Sequence, residues 1–200
     1  MSPVVSLVLA SGSVSRRRML EAAGLVFEVD PPRVDEEAAK MSVRREGLKP
    51  RDQADVLAEL KALSVSRRRS GFVIGGDQML AIEGEILDKP KDRGEARAHL
   101  QRLSGRTHEL ISAAVVARDG AVIWRHIETP RLRMRVLSDA FIESYLDAAG
   151  EAAQTSVGAY QLECLGAQLF ERVDGDFFSV LGLPLLPLLG FLREHGMAPA

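Results

Sequence analysis

The feature that most constrains the fold is a strand, a short loop and a helix at the start of the chain. Residues 4–9 form a short apolar run, which is typical of a strand buried on both faces. Ser15–Ala23 then places Met19, Leu20 and Ala23 at helical spacing. Because a doubly buried strand needs a layer on each side, this opening predicts an α/β protein.

The rest of the chain alternates strand and helix patterns, which predicts a mixed sheet. In the first half we expect a strand at 25–29, a loop with an acidic cluster at 31–40, a helix at 51–69 and two partner strands within 72–87. In the second half we expect a helix at 93–103, strands at 107–117 and 121–136 joined at Asp119-Gly120, a helix capped by Ser138, and a last helix from about Leu185. With 200 residues and 46% hydrophobic content, the chain can bury the core of one compact domain, in which two lobes are possible.

Composition excludes several classes of partner. The formal net charge is only −2, so no large field draws the whole molecule to nucleic acid or to an acidic membrane surface. No apolar run approaches the roughly 18 residues of a membrane span, and the N-terminal segment lacks the charged start of a secretory signal. The single cysteine, Cys164, cannot form an internal disulfide. We therefore expect a cytoplasmic protein with no membrane partner and with any basic site confined to one place.

The loop after the first strand is a candidate anion site. It contains Ser11, Ser13 and Ser15 and leads directly into three arginines that begin at Arg16. Backbone N–H groups at the start of a helix attract anions, and an arginine in the first turn can donate two parallel bonds to a phosphate. The alternative is that Ser13 or Ser15 only caps the helix and that the arginines form a solvated face.

Charged residues at strand ends add further candidates. Asp77 follows a buried strand, where a carboxylate is costly unless it binds a metal, accepts a proton or caps a turn. Lys89 follows the partner strand, although a turn lysine is ordinarily in solvent. The acidic cluster around Glu36, taken alone, is most simply a solvated turn.

Eight motifs occur in order along residues 7–192. They are LASGSVSRRRML, VDEEA, LAELKAL, GGDQML, LDKP, LSGRTHEL, SVGAY and VLGLPLLPLL. Together they resemble the Maf family of nucleoside triphosphate pyrophosphatases. The resemblance implies a single Maf-like domain over residues 1–200. Its expected fold is α/β, with a mixed, curved central sheet flanked by helices, two lobes and a cleft, as in the inosine triphosphate pyrophosphatases. It also implies a homodimer.

The activity that the resemblance implies is hydrolysis of a nucleoside triphosphate between the α and β phosphates, with Mg²⁺ or Mn²⁺ as cofactor. Asp77 would be the proton acceptor, and Arg16, Lys61 and Lys89 would neutralise the phosphates. The metal would be bound by Glu36 and Asp77, whose carboxylates are hard oxygen ligands, and Asp77 could serve as ligand or as base. The expected substrate-binding residues are Ser11, Ser13, Arg16, Gln78 and Glu163.

Two positions resemble the branch of the family that acts on 7-methyl-GTP, a house-cleaning activity. They are Gln78, after the strand-end aspartate, and Glu163, after the Gly-Ala-Tyr stretch. A carboxylate suits a methylated guanine because N7 methylation leaves a positive charge on the base. Gln161 is a competing candidate for the base contact. We expect His108 to organise a loop rather than to take part in the chemistry.

Other functions are compatible with parts of this pattern. One is a non-catalytic nucleotide- or nucleic-acid-binding module linked to septum or cell-shape control. The acidic residues argue against it, since carboxylates beside a polyphosphate repel it unless a metal lies between them. Another is a pyrophosphatase of the same type that prefers dTTP, UTP or ITP.

Overall fold

A computed structural model of the protein describes residues 6–199 and has alternating strands and helices. The strands are β1 (Leu7–Ala10), β2 (Glu28–Val29), β3 (Phe72–Ile82), β4 (Glu85–Leu87), β5 (Thr107–Arg118), β6 (Ala121–Glu128), β7 (Arg131–Met134) and β8 (Phe170–Asp174). The helices are α1 (Val14–Ala22), α2 (Glu36–Arg45), α3 (Pro50–Ser66), α4 (Arg93–Leu103), α5 (Asp139–Ala149), α6 (Phe177–Val180) and α7 (Leu185–Glu194). Three short 3-10 turns, at Gly150–Gln154, Val157–Ala159 and Leu165–Leu169, connect α5 to β8.

The sheet is mixed, which confirms the predicted α/β class. Its strand order is β2-β1-β3-β5-β7-β8, with β4 paired to β3 and β6 paired to β5. Strand β1 is parallel to both β2 and β3, whereas β4, β6, β7 and β8 pair in antiparallel fashion. Parallel pairing at β1 explains why all four of its residues are buried, since both of its faces are covered.

The described chain forms two compact units. The first contains residues 6–78, 112–128 and 182–199, and the second contains residues 79–111 and 129–181. In the first unit, α3 packs closely on β3 at Gly75. A Cβ atom at this position would lie 2.4 Å from the carbonyl oxygen of Ala58 and 2.6 Å from the backbone nitrogen of Ala62. Glycine therefore permits the approach of helix to strand that places Lys61, on the same helix, beside Asp77. Asp77 was expected at the end of this strand and instead lies in its middle, because β3 continues to Ile82.

The second unit is built around one continuous apolar core. Leu80, Leu100, Met134 and Ile142 are among its fully buried side chains. On the surface, ion pairs join α4 to α5, with Arg93 and Arg97 both binding the carboxylate of Glu143. These solvent-exposed pairs are expected to contribute little to stability compared with the core.

Most predicted elements are confirmed, and several bounds are corrected. Helix α4 has the predicted ends, Ser138 caps α5, and the Asp119-Gly120 turn has the two positive φ values, 51° and 77°, of a tight hairpin. Strand β1 begins at Leu7, and residues 4 and 5 of the predicted strand lie outside the described residues. The segment 121–136 forms two strands rather than one, because Pro130 lacks the N–H that a continuous ladder needs.

The segment 31–40 is not a loop throughout, because α2 begins within it at Glu36. The side chain of Asp35 accepts a bond from the backbone N–H of Ala38 at 3.0 Å and so caps the helix. Glu36 and Glu37 then occupy the first turn, where carboxylates are favoured by the helix dipole. The acidic cluster is therefore a helix start.

Within residues 6–199, no helix combines the length and apolar character needed to cross a membrane.

The packing at Gly75 can be tested by substitution. Gly75→Ala should lower the free energy of unfolding by about 2 kcal/mol or more, because the new methyl group overlaps the backbone of α3. Gly190→Ala is the matched control, since a Cβ there meets no atom within 4 Å and the position is helical. Urea denaturation should show a loss for the first variant and no loss for the second. Equal stability of the two variants would contradict the close packing of α3 on β3.

Candidate functional site

In the loop between β1 and α1, the hydroxyls of Ser11 and Ser13 accept backbone hydrogen bonds at the start of the helix. The hydroxyl of Ser11 accepts a hydrogen bond from the backbone N–H of Ser13 at 3.2 Å. Ser13 in turn caps α1 by accepting from the N–H of Arg16 at 3.4 Å. The capping interpretation is therefore correct for Ser13. The solvated interpretation is correct for Arg17 and Arg18, which are exposed, and wrong for Arg16, which is buried.

Arg16 is 8% exposed and is fixed by three acceptors within the first unit. Its Nε donates to the carbonyl oxygen of Gly182 at 2.8 Å, and its Nη1 donates to the carbonyl oxygen of Gly76 at 2.9 Å and to the hydroxyl of Ser11 at 3.2 Å. These bonds do not use Nη2. The guanidinium is therefore held rigidly before any ligand binds, with one nitrogen left over for an anion.

Burial lowers the pKa of Arg16 from its usual value, because the charged form loses hydration. The carboxylates of Asp77 and Glu36 oppose this effect and raise the pKa. The guanidinium still carries its charge at neutral pH, since an arginine starts from a very high pKa. Both acids are therefore close enough to Arg16 to interact with it electrostatically.

The alternation of β3 explains how Asp77 reaches its partner. Gly75 faces α3, whereas a Cβ atom on Gly76 would lie 3.2 Å from Nε of Arg16. Since successive side chains of a strand point to opposite faces, Asp77 lies on the α3 face. There its Oδ1 accepts a hydrogen bond from Nζ of Lys61 at 2.7 Å.

Lys61 joins two carboxylates. Its Nζ lies 2.7 Å from Oδ1 of Asp77 and 3.0 Å from Oε2 of Glu36. The Lys61 and Asp77 side chains are only 8% and 10% exposed, whereas that of Glu36 is 48% exposed. Removing a charge from water costs several kcal/mol, so the buried lysine and aspartate depend on each other. We call Ser11, Arg16, Glu36, Lys61 and Asp77 the charged cluster.

The charged cluster has the donor chemistry for a hard divalent cation. Glu36 and Asp77 place carboxylate oxygens within hydrogen-bond distance of a single cationic atom, the Nζ of Lys61. Within residues 6–199 no set of three or more His, Cys, Asp and Glu side chains is arranged to hold a metal without help. Mg²⁺ is commonly bound by one or two carboxylates together with waters and substrate phosphates. Two carboxylates therefore fit a metal that arrives with a polyphosphate.

Gln78 lies on the other face of β3, beside Arg16 rather than beside Lys61. Its Nε2 donates to the hydroxyl of Ser112 on β5 at 2.9 Å. A Cβ atom placed on Gly182 would lie 3.6 Å from Oε1 of Gln78 and 3.7 Å from Nη2 of Arg16. Gln78 is therefore part of the packing around the arginine, in the same unit as the charged cluster.

Two expected site residues belong to the second unit. Lys89 is exposed and lies in the connection between β4 and α4, directly before the buried Pro90. Glu163 is exposed and lies between the Val157–Ala159 and Leu165–Leu169 turns. No ion pair of Glu163 is found within the part of the chain that the structure describes. Of the expected residues, the structure thus gathers Ser11, Ser13, Arg16, Glu36, Lys61, Asp77 and Gln78 in the first unit.

Sequence reasoning missed the backbone groups that hold Arg16. Gly182 lies 166 positions along the chain from Arg16, and its contribution is a carbonyl oxygen that any residue type would carry. Its φ of 102° favours glycine, so the available signal was an isolated glycine in the motif VLGLP. Ser112 was missed in the same way, because a serine within an apolar strand has no distinctive pattern.

Comparison of the chain with known proteins identifies its family. Residues 6–195 match the family model described as Maf-like protein. A nucleoside triphosphate pyrophosphatase of Paramagnetospirillum magneticum is 57% identical over 190 residues, which are 94% of this chain and 98% of that protein. One from Hyphomonas neptunium is 52% identical over 195 residues, covering 98% of each chain. A 7-methyl-GTP pyrophosphatase of Rhizobium etli is 50% identical over 191 residues, covering 95% of this chain and 96% of that one. The chain belongs to the Maf family.

Proposed function

We propose that the protein is a nucleoside triphosphate pyrophosphatase, which hydrolyses its substrate between the α and β phosphates to a nucleoside monophosphate and pyrophosphate. The observation that carries this proposal is the convergence of Arg16 and Lys61 with Asp77 and Glu36 in the charged cluster. Relatives named for this activity cover nearly the whole chain at 50% identity or more. We also propose that the two units together are one catalytic domain.

The cations account for substrate binding. A triphosphate carries roughly four negative charges, and phosphoryl transfer is catalysed largely by positioning and neutralising them. Arg16 is suited to this task because three protein acceptors already fix its plane, leaving Nη2 for a phosphate oxygen. The N-terminus of α1 adds backbone N–H groups beside it. Lys89 would supply a further cation from the second unit.

Asp77 is the proposed proton acceptor. Its Oδ1 is bonded to Lys61, so Oδ2 is the oxygen that would take a proton from the attacking water. Lys61 keeps the carboxylate oriented during this step and can exchange its second partner, Glu36, for a phosphate oxygen. The exposed position of Glu36 makes such an exchange inexpensive.

Glu36 and Asp77 would also hold a divalent metal, Mg²⁺ or Mn²⁺. When bound, such an ion offsets the charge of the phosphates and orients them for displacement. The residues of the chain then keep the polyphosphate in the reactive geometry, with Arg16 and Lys61 as its cationic partners.

The proposed preference for 7-methyl-GTP rests on Glu163. This carboxylate is exposed and therefore available to a positively charged base. Gln161 is less available, because its Nε2 donates to the hydroxyl of Thr155 at 3.0 Å. Two relatives, from Rhizobium etli and Rhizobium meliloti, are named 7-methyl-GTP pyrophosphatases. Pyrophosphatase activity with dTTP, UTP or ITP is the competing specificity.

Hydrolysis of a substrate panel tests the proposed reaction. With Mg²⁺ or Mn²⁺, the purified protein should convert 7-methyl-GTP, and less rapidly dTTP, UTP or ITP, into the monophosphate and pyrophosphate. Chelator should abolish turnover, because the clustered carboxylates and the polyphosphate require a cation between them. Release of single phosphate, turnover without metal, or no turnover with any triphosphate would contradict the proposal.

Replacement of the proton acceptor tests its role. Asp77→Asn should reduce turnover by about 100-fold or more, the range expected for loss of a general base, while triphosphate binding measured by calorimetry persists. Asp30→Asn is the control, because it neutralises another ion-paired aspartate of the first unit, whose side-chain partners, Arg68 and Arg69, are not members of the charged cluster. Normal turnover of the Asp77 variant would remove this residue from the mechanism.

Base recognition is tested by neutralising Glu163. Glu163→Gln should raise the KM for 7-methyl-GTP relative to the KM for an unmethylated nucleotide, since only the methylated base carries a positive charge. Glu151→Gln, which neutralises an exposed acid in the preceding Gly150–Gln154 turn, should leave the ratio unchanged. An unaltered ranking of substrates in the Glu163 variant would dismiss this role.

A further inference from the structure

The segment that precedes Gln161 and Glu163 has a strained backbone. Gly158 and Ala159 follow each other with φ values of 77° and 63°. A positive φ is easy for glycine but costs an alanine about 1 kcal/mol or more. Such a conformation persists only where neighbouring groups enforce it. The segment 156–160 is therefore held in place by contacts that outweigh its own preference.

One of these contacts comes from α5. The hydroxyl of Tyr145 donates to the carbonyl oxygen of Ala159 at 3.1 Å, within the buried core of the second unit. A local bond adds to it, because the hydroxyl of Ser156 donates to the carbonyl oxygen of Tyr160. The carbonyl oxygens of Ala159 and Tyr160, the two residues before Gln161, thus each accept a hydrogen bond from a hydroxyl.

The other contact comes from β5. Nε2 of His108 lies 2.7 Å from the hydroxyl of Tyr160, and the two residues are only 1% and 4% exposed. Tyr160 also packs edge-on against Phe170, with 4.8 Å between ring centres. The ring of Tyr160 is therefore fixed by a hydrogen bond at its tip and by aromatic packing along its side.

Both members of this pair are neutral at physiological pH. Burial lowers the pKa of His108 to about 4 and raises that of Tyr160 well above its usual value. Nδ1 of His108 is buried and has no hydrogen-bond partner among the described residues. The position of His108 therefore suits it to support Tyr160 rather than to transfer a proton.

The residues after Tyr160 are fixed from the opposite side. A Cβ atom on Gly166 would lie 2.4 Å from the carbonyl oxygen of Gln161, so this glycine packs directly on the Gln161 backbone. The Gln161 side chain is tied to Thr155, whose hydroxyl donates to the carbonyl of Ala152 at 2.8 Å. The stretch between Tyr160 and Gly166, which contains Glu163, is therefore anchored at both ends.

We propose that His108, Tyr145 and Tyr160 are positioning residues for base recognition. They hold the strained segment 156–160 so that Glu163 is presented from a rigid support. This inference rests on the proposed function, since it identifies the residues that support Glu163, the carboxylate proposed to contact the base. It implies that the hydrogen bonds made by Tyr145 and Tyr160 affect which base is preferred and do not affect how the phosphates are bound.

The test separates base recognition from phosphate binding with a probe that has no base. Tyr160→Phe deletes the hydroxyl that meets His108 and keeps the ring, and Tyr145→Phe deletes the bond to Ala159 from a different helix. Each variant should reduce the preference between 7-methyl-GTP and UTP, measured as the ratio of kcat/KM, by up to about tenfold. Inhibition by inorganic triphosphate should keep its wild-type constant.

Matched variants exclude a general loss of structure. Ser104→Ala removes a hydrogen bond to the backbone N–H of Leu137 in the same unit and should leave the preference unchanged. His108→Gln, which can still bond to the Tyr160 hydroxyl, should retain more of the preference than His108→Leu. An unchanged preference in both tyrosine variants, or an equal weakening of inorganic triphosphate, would overturn the inference. If the wild-type protein hydrolyses no triphosphate, the proposed function falls first and this inference falls with it.

Discussion

The buried ion pair between Lys61 and Asp77 is the interaction on which the rest of the first unit depends. Neither charge is tolerable alone at that depth, so α3 and the middle of β3 must stay in contact. Gly75 makes the contact possible, since a side chain there would push the helix away from the strand. The same packing that stabilises the fold therefore sets the distance between a cation and a carboxylate. Glu36 adds an exposed partner that can be exchanged at little cost.

Arg16 is held differently, because its hydrogen-bond partners are two carbonyl oxygens and a hydroxyl rather than acids. Backbone acceptors fix the guanidinium without neutralising it, so the positive charge remains for an anion. The acids that raise its pKa act through space and are bonded to Lys61 instead. Arg16 and Lys61 therefore have different kinds of hydrogen-bond partner. Lys61 is hydrogen-bonded or ion-paired to the carboxylates that would bind a metal, whereas Arg16 interacts with them only through space.

The sequence predicts most of the elements and the residue types of the site, and it fails where the interaction has no side-chain signature. Helix periodicity located Lys61 on α3, whereas Asp77, expected at a strand end, lies in the middle of β3, because the strand continues through Gly75 and Gly76 to Ile82. Glu36 was expected in a loop because short acidic stretches read as solvated turns, whereas the Asp35 cap makes this one a helix start. The carbonyl of Gly182 could not be predicted, since a backbone acceptor is present in every residue. The partnership of His108 with Tyr160, 52 positions away, depends on tertiary packing alone.

The two units use different means to fix the groups proposed to bind the substrate. In the first unit, charges hold one another in place, so a change in the charged cluster is expected to alter stability as well as the proposed chemistry. In the second unit, neutral hydrogen bonds and aromatic packing hold a strained backbone, and the exposed Glu163 contributes nothing to that support. The residue at 163 can therefore change without disturbing its scaffold. A scaffold that is indifferent to this side chain would allow members of one family to differ in base preference while sharing the same machinery for the phosphates.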